Sequence, residues 1–254
     1  MPVRRTLKWI TGDQVVTTGL ILRPEGQPSR YFARFQERVP PVPKEYWRTF
    51  KLADPVEIKD QDAIGACASF ASVSALEVLR WLQGNQHVSF SGGQLYGRVN
   101  GGVDAGSTLD DNLNELVRNG AVPASVVGPL DWQPSRWPKN WKDAAAPYKV
   151  LEAWDAPTFE EMVSAILLGF PVVYGIMIGS NFVVQPDGWV APKRGSGGGH
   201  AMLGLGIVVE NNRIGIITQN SWGTRWGRNG VAIVPQDYFT GWIDGYALRS
   251  AVYS

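Results

Sequence analysis

The sequence has few of the residues that would indicate a disulfide-bonded fold, a metal site or a charged partner. Its 254 residues include one cysteine and two histidines, and 24 lysines and arginines stand against 23 aspartates and glutamates. A single cysteine cannot form an internal disulfide, so the fold must be held by its core. A net charge of +1 gives no reason to expect nucleic acid or an anionic membrane as a partner. We expect no metal and no cofactor.

No segment of the sequence predicts a signal peptide or a membrane span. Residues 1–9 lack the apolar stretch that a signal peptide needs. Residues 162–184 carry no charged side chain, but Gly169 and Pro171 divide them into a helix-like and a strand-like half. We therefore expect no contact with a membrane, and a location either in the cytoplasm or outside the cell without a visible signal.

The charges are unevenly distributed along the chain. Residues 1–51 hold ten basic and four acidic residues, whereas residues 52–254 hold fourteen and nineteen. We interpret residues 1–39 as a basic N-terminal extension, which is either a short pro-segment that docks on the acidic body or an added strand. The proline-rich stretch that follows indicates a boundary, and residues 40–254 are predicted to form the main domain.

The main domain is predicted to have an α+β fold, with helices first and strands second. Apolar side chains on both sides of residues 66–81 predict a buried central helix. Further helices are predicted over residues 109–117 and 158–168, and strands over 172–178, 201–209, 213–218 and 231–234. Residues 123–147, rich in proline and tryptophan, are predicted to form an ordered loop. The order of elements predicts two packed lobes, roughly 53–150 and 151–254.

Two segments place a cysteine and a histidine where catalysis can use them. The loop from Gln61 leads to the sole cysteine, Cys67, at the start of the central helix, where backbone amides lower a thiol pKa into a window of roughly 3.5–7.5. The alternative is a buried cysteine that acts as a small apolar side chain. His200 begins an apolar strand after a glycine-rich loop, and serves either as a base or as an ordinary hydrogen-bonded histidine. His87 falls in a polar turn.

A third segment runs from Asn220 through two Trp–Gly pairs. Turn chemistry with packing tryptophans is the plain explanation, but the order cysteine, histidine, asparagine is that of papain-like cysteine peptidases. The stretch Asn-Ser-Trp-Gly-Thr-Arg-Trp-Gly closely resembles the signature of that family. Gln61, six residues before Cys67, and the Gly-His-Ala sequence around His200 resemble its other two motifs. The resemblance extends from about residue 40 to the C-terminus.

The resemblance implies a helical left lobe that carries Cys67 and an antiparallel, β-barrel-like right lobe that carries His200 and Asn220. A cleft between the lobes would bind an extended peptide. Cys67 would be the nucleophile, His200 its acid–base partner and Asn220 the residue that orients the imidazole. The side chain of Gln61 and the backbone amide of Cys67 would form the oxyanion hole. Trp222 would shield the histidine–asparagine pair from water.

Further assignments rest on weaker matches to the same family. Trp226, in the second Trp–Gly pair, is expected to support Trp222. Gly106 and Ser107 are distant counterparts of the glycine pair that lines the non-primed side of the cleft in the family. Gly199 stands before the histidine, where many relatives carry Asp or Asn. We expect Gly106, Ser107 and Gly199 to contact substrate.

The sequence thus predicts a monomeric cysteine endopeptidase that acts on polypeptides through a thioester acyl-enzyme. Two alternatives stay open. One is a papain-fold hydrolase or transpeptidase that acts on an isopeptide or another non-protein amide, and nothing in the sequence separates it from a peptidase. The other is a non-catalytic peptide-binding member of the fold, which would have no need of the complete set of catalytic residues.

Overall fold

The computed structural model describes residues 7–11, 14–195 and 197–252, which form five α-helices and nine strands. The helices are α1 (Cys67–Leu82), α2 (Gly92–Asn100), α3 (Leu109–Arg118), α4 (Trp141–Ala145) and α5 (Phe159–Leu167). The strands are β1 (Leu7–Thr11), β2 (Gln14–Thr18), β3 (Phe50–Lys51), β4 (Val150–Asp155), β5 (Val172–Met177), β6 (Gly199–Glu210), β7 (Arg213–Gln219), β8 (Val231–Pro235) and β9 (Asp244–Ala251). The three predicted helices and four predicted strands are confirmed to within two residues at each end. The elements α2, β1, β3, β4 and β9 were not predicted, and the short helix α4 lies within residues 123–147, which were predicted to form a loop.

The strands of the C-terminal half form one antiparallel sheet in the order β4-β9-β5-β6-β7-β8, and the short β3 adds to β6. The expected barrel-like lobe is therefore an open sheet in the described residues, with β4 and β8 at its edges. The strands β1 and β2 form a separate antiparallel hairpin, and within the residues that the structure describes neither is part of the larger sheet. No helix in the described part of the chain has the length and apolar character needed to cross a membrane.

The helix α1 is the centre of the fold and is buried along most of its length, as its two apolar sides predict. It packs on α2 and α3 and on the sheet strands β5, β6 and β9. Fully buried Val73 and Leu76 belong to the core that joins these helices to the sheet. A second core surrounds α5 and includes Tyr174 of β5 and Ile216 of β7. The first core therefore holds the helical half against the sheet, and the second holds α5 against it.

The helices differ in how their N-termini are capped. The hydroxyls of Thr108 and Thr158 accept hydrogen bonds from the amides of Asp111 and Glu161, which begins α3 and α5 in the usual way. The helix α1 has no such cap, because Ala66 precedes it. The first amides of α1 and the positive end of its dipole therefore face the thiol of its first residue.

The N-terminal residues that the structure describes lie against both halves of the fold. Phe35 is fully buried and packs edge-to-face on Trp154 of β4. Arg34 pairs with the buried carboxylate of Glu161 on α5. Ser29 and Arg30 bind Asp110 of α3, so residues 29–39 are attached to both lobes. The boundary between extension and main domain at residue 40 stays a prediction.

Candidate active site

Cys67 is the first residue of α1 and is fully buried. Burial raises the pKa of the thiol, although hydrogen bonds from the backbone amides of Ala201, Gly19, Ala68 and Leu20 act in the opposite direction. The lowered thiol pKa that the helix start predicts is therefore not what this structure shows. The physical reason is burial. Gly19 and Leu20 of the N-terminal extension lie against the thiol and remove it from water.

His200 is the second residue of β6, where it pairs with Ile176 of β5, and its side chain is fully buried. Its Nε2 lies 2.8 Å from Oδ1 of Asn220. Its Nδ1 has no hydrogen-bond partner among the described residues, so this nitrogen remains free for proton transfer. Burial lowers the pKa of the imidazole to about 4, while the hydrogen bond to Asn220 acts in the opposite direction.

Asn220 follows the last residue of β7, and the turn after it fixes its side chain. The amide of Ser221 donates to Oδ1 of Asn220 over 2.7 Å. Trp222 stacks on the imidazole of His200 with ring centroids 4.3 Å apart. Trp226 packs edge-on against Trp222, and both indoles are buried. Trp222 thus covers the imidazole of His200, and its role as a shield of the histidine–asparagine pair stays a prediction.

Gln61 is fully buried and is held by the residue that follows Asn220. The amide of Gln61 donates to the carbonyl of Ser221 over 2.9 Å, and the Ser221 hydroxyl donates to Oε1 of Gln61 over 2.7 Å. These bonds turn the Nε2 of Gln61 towards acceptors, and it donates to the carbonyls of Ile64 at 2.8 Å and Thr17 at 3.1 Å. The Thr17 carbonyl also accepts from the indole of Trp222 at 3.1 Å.

The N-terminal extension crosses the site as an extended strand. The carbonyl of Gly19 accepts from the amide of Ser107 at 2.9 Å, and the amide of Ile21 donates to the Ser107 carbonyl at 3.0 Å. The amide of Leu20 donates to the carbonyl of Gly199 at 3.3 Å. Residues 19–21 are therefore bound between the helical half and β6, beside Cys67 and His200.

The three residues expected to contact substrate all touch this strand. Ser107 and Gly199 provide its backbone hydrogen bonds, as described above. Gly106 lies so close that a β-carbon there would come within 2.2 Å of the Gly19 carbonyl oxygen. The structure therefore brings the predicted contact residues together, with a segment of the chain's own extension bound where a substrate is expected.

The side chain of Leu20 fills a pocket that the sequence did not reveal. Leu20 is 8% exposed and belongs to the same apolar core as Leu109 of α3. The floor of this pocket includes Gly175 of β5, where a β-carbon would come within 2.3 Å of a Leu20 methyl. The only sequence signal for this contact was a strand-like apolar run inside a basic extension, which does not say where the run binds.

His87, the second histidine, lies apart from these residues. In the described chain one group of metal-type ligands comes together, formed by Glu57, Glu77 and His87. The ammonium of Lys59 already lies 3.0 Å from Glu57 and 2.9 Å from the buried Glu77. This ammonium already occupies the space between the two carboxylates and pairs with both, so the donor set is that of an ion-pair network and does not fit a metal.

Comparison with known families agrees with the geometry. The family model described as "Papain family cysteine protease" matches residues 42–240. Among curated proteins, the viral cathepsin of Orgyia pseudotsugata multicapsid polyhedrosis virus is 28% identical over 200 residues, which is 75% of this chain and 58% of the relative. The cysteine proteinase RD21A of Arabidopsis thaliana is 25% identical over 207 residues, with 79% and 43% covered. The chain spans about half the length of the curated relatives it matches.

Solved structures show the same fold. Xylellain, a cysteine protease from Xylella fastidiosa, superposes with a TM-score of 0.68 at 19% identity, and the match covers 91% of this chain and 99% of xylellain. A procathepsin B from Trypanosoma congolense gives a TM-score of 0.68 at 16% identity, with 97% and 92% covered. These identities are too low to carry more than the two-lobe α+β architecture.

Proposed function

Because the chain belongs to the papain family of cysteine proteases, we propose that it is an endopeptidase that cleaves peptide bonds through Cys67, His200 and Asn220. The observation that carries this proposal is the 2.8 Å pair between Nε2 of His200 and Oδ1 of Asn220, under the stacked ring of Trp222. This pair fixes one imidazole nitrogen and leaves the other free, which is the arrangement of a base oriented by a third group. The free base and the thiol of Cys67 then provide proton transfer and a nucleophile.

The proposed reaction proceeds in two steps. The Cys67 thiolate attacks the scissile carbonyl carbon, and the His200 imidazolium gives its proton to the leaving amine as the carbon–nitrogen bond breaks. This leaves a thioester between Cys67 and the acyl part of the substrate. His200 then takes a proton from water, whose oxygen attacks the thioester carbon; the carbon–sulfur bond breaks, the acid product leaves, and the thiolate–imidazolium pair is restored.

The oxyanion that forms in each step needs hydrogen-bond donors. We assign Nε2 of Gln61 and the backbone amide of Cys67 to this role. Support for the first donor comes from Thr17, whose carbonyl oxygen accepts from Gln61 at 3.1 Å. A carbonyl oxygen of the bound extension thus occupies the place next to a donor where a substrate oxygen would be held. Ser221 keeps the Gln61 amide turned this way.

In this form of the protein, the extension covers the proposed active site. Thr17 lies at Gln61 and Trp222, and Leu20 and Ile21 lie at Gly199 and Ser107. If Ser107 lines the non-primed side, as the family resemblance implies, the extension runs opposite to a substrate. A reversed backbone presents no peptide bond in the orientation for attack, so it blocks the site and resists cleavage.

The test separates the proposed catalytic role of Cys67 from the effect of the extension that covers the site. A β-carbon at Gly19 would come within 2.0 Å of the Gly65 carbonyl oxygen, so Gly19→Ala cannot keep the extension seated. We expect Gly19→Ala to hydrolyse casein and fluorogenic peptides faster than the wild type. Gly241→Ala, where a β-carbon meets nothing within 4 Å, is the matched control. Adding Cys67→Ser to Gly19→Ala should abolish turnover, and retained turnover in that double variant would reject the assignment.

A further inference from the structure

Arg23 of the extension occupies a buried pocket built from acidic and aromatic side chains. Its guanidinium donates to both oxygens of Asp155, at 3.1 and 2.8 Å, and lies 3.2 Å from Asp244. The rings of Trp242 and Tyr246 lie 5.7 and 5.5 Å from the guanidinium carbon. A two-point fork on a carboxylate between aromatic rings is the geometry that guanidinium prefers and ammonium cannot reproduce.

Both carboxyl groups of the pocket have hydrogen-bond partners besides Arg23. Asp155 also accepts from the amide of Ser29 at 3.2 Å, and Asp244 lies within 3.0 Å of the Tyr246 hydroxyl. Both carboxyl side chains are at most 1% exposed. Burial raises the pKa of Asp244, while the charge of Arg23 lowers it. Each carboxyl group is thus held by a second partner, and a cation in the pocket favours the charged form of Asp244.

The pocket adjoins the cleft rather than the outer surface of the protein. Asp244 is the register partner of Gly175 in the sheet, and Gly175 is the floor under Leu20. Arg23 follows Leu20 by three residues, so an extended chain covers that distance at about 3.3 Å per residue. A peptide that binds beside Gly199 and Ser107 can therefore reach the pocket with a long side chain.

The segment that fills the pocket is attached through an exposed turn. Residues 24–28 are all exposed, and the turn closes with a hydrogen bond from the amide of Gln27 to the carbonyl of Pro24 at 3.1 Å. Anchored contacts resume at Ser29, which binds Asp110 and Asp155. Displacement or cleavage at this turn releases Arg23 together with the segment in the cleft and leaves residues 29–39 in place.

We propose that Asp155, Asp244, Trp242 and Tyr246 form a guanidinium-binding subsite of the cleft, filled here by the chain's own Arg23 and taken by a substrate arginine on the acyl side of the scissile bond. The proposal rests on the peptidase function proposed above for its substrate. Loss of Arg23 leaves two buried carboxylates without their cation, and this is costly. A peptide that brings an arginine restores the pairing, whereas a peptide with a neutral side chain does not, and this difference creates specificity.

The first experiment measures the pocket without any peptidase activity. Arg23→Ala in the full chain should lower the midpoint of thermal unfolding. Methylguanidinium chloride should raise that midpoint more than methylammonium chloride does at equal ionic strength. The same salts should show no such difference with the wild type or with the double variant Arg23→Ala/Asp155→Asn. Arg30→Ala, which removes an exposed guanidinium, is the matched control.

The second experiment measures substrate choice. Paired fluorogenic peptides carry arginine or the neutral isostere citrulline at successive positions on the acyl side. With Gly19→Ala/Arg23→Ala, we expect one position where arginine raises kcat/KM by roughly tenfold or more, as hydrogen bonds to charged groups allow. Asp155→Asn added to this pair should remove the preference.

The outcomes distinguish the two proposals. Equal effects of methylguanidinium and methylammonium on Arg23→Ala would overturn the subsite, and so would equal hydrolysis of every arginine and citrulline pair. Selective rescue by methylguanidinium without any peptide hydrolysis would support the guanidinium pocket and reject the peptidase function.

Discussion

At the scale of single residues, the surroundings of Cys67 and His200 favour the uncharged forms of both side chains. Burial raises the pKa of the Cys67 thiol and lowers that of the His200 imidazole, so both shifts favour thiol and neutral imidazole over the ion pair. The residues that could form the ion pair are present, but water and substrate are excluded from them. The proposed activity therefore depends on exposure of the site as well as on its residues.

A pH profile of alkylation tests this account. Iodoacetamide reacts with the thiolate, so its rate on Cys67 follows the fraction of thiolate. In the wild type we expect slow modification that rises only above the ordinary thiol pKa, because burial has raised it. In Gly19→Ala the rise should move to lower pH, because the helix amides and His200 then act on a solvated thiol. Identical profiles for the two proteins would show that the extension does not control the thiol.

Removal of the side-chain oxyanion donor is a second test at the residue scale. In the Gly19→Ala background, Gln61→Ala should lower kcat by about 10²–10³-fold with a smaller change in KM, since the donor acts mainly in the transition state. Steady-state kinetics on a fluorogenic peptide give both constants. Ser221→Ala, which removes the hydroxyl bound to Oε1 of Gln61, should lower kcat less, because the Gln61 amide remains. An unchanged kcat in Gln61→Ala would remove this residue from the mechanism.

At the scale of elements, the helix that carries Cys67 and the strand that carries His200 could be predicted from the sequence. The segments that surround these two side chains could not. The apolar sides of residues 66–81 and the strand starting near His200 were predictable because local periodicity and motif spacing determine them. The strand β9 was not predicted, since only three consecutive residues of it, 246–248, are apolar and Arg249 and Ser250 follow them. The position of Leu20 was not predictable either, because it depends on a pocket formed by residues distant in sequence.

A substitution in the pocket under Leu20 should change the rate of hydrolysis in opposite directions for two kinds of peptide. Gly175→Ala places a β-carbon within 2.3 Å of the Leu20 methyl, so it should displace the extension and speed the hydrolysis of peptides with small side chains. The same methyl should lower kcat/KM for a peptide with leucine in this pocket, by roughly 10–200-fold relative to one with alanine. Kinetics on the alanine and leucine peptides measure both effects. Equal kcat/KM ratios in Gly175→Ala and Gly19→Ala would show that no substrate side chain enters the pocket.

At the scale of the whole molecule, the N-terminal extension has two parts with different attachments. Residues 16–23 lie in or beside the cleft, whereas residues 29–39 are held to α3 through Ser29 and to the right lobe through Phe35 and the pair between Arg34 and Glu161. The sequence treated residues 1–39 as one basic unit, because charge composition does not show which residues of a segment are buried. The structure therefore suggests that release of the cleft does not require loss of the whole extension.

Two truncations test this division. A chain that starts at Glu25 should fold and hydrolyse peptides faster than the full chain, although the loss of Arg23 makes it less stable. A chain that starts at Pro40 also loses buried Phe35, whose removal alone costs about 3–5 kcal/mol. We expect a much lower midpoint of thermal unfolding for this second chain. Equal stability of the two truncated chains would place residues 25–39 outside the folded body.

Labelling of Cys67 by a thiol-directed peptidyl epoxide, followed by intact mass, tests the central claim most directly. The account predicts a single adduct in Gly19→Ala, which forms faster than in the wild type and far faster than in Gly19→Ala/His200→Ala. Labelling that proceeds equally fast without His200, or a folded Gly19→Ala that stays unlabelled, would contradict the claim that Cys67 is an activated nucleophile covered by the chain's own extension.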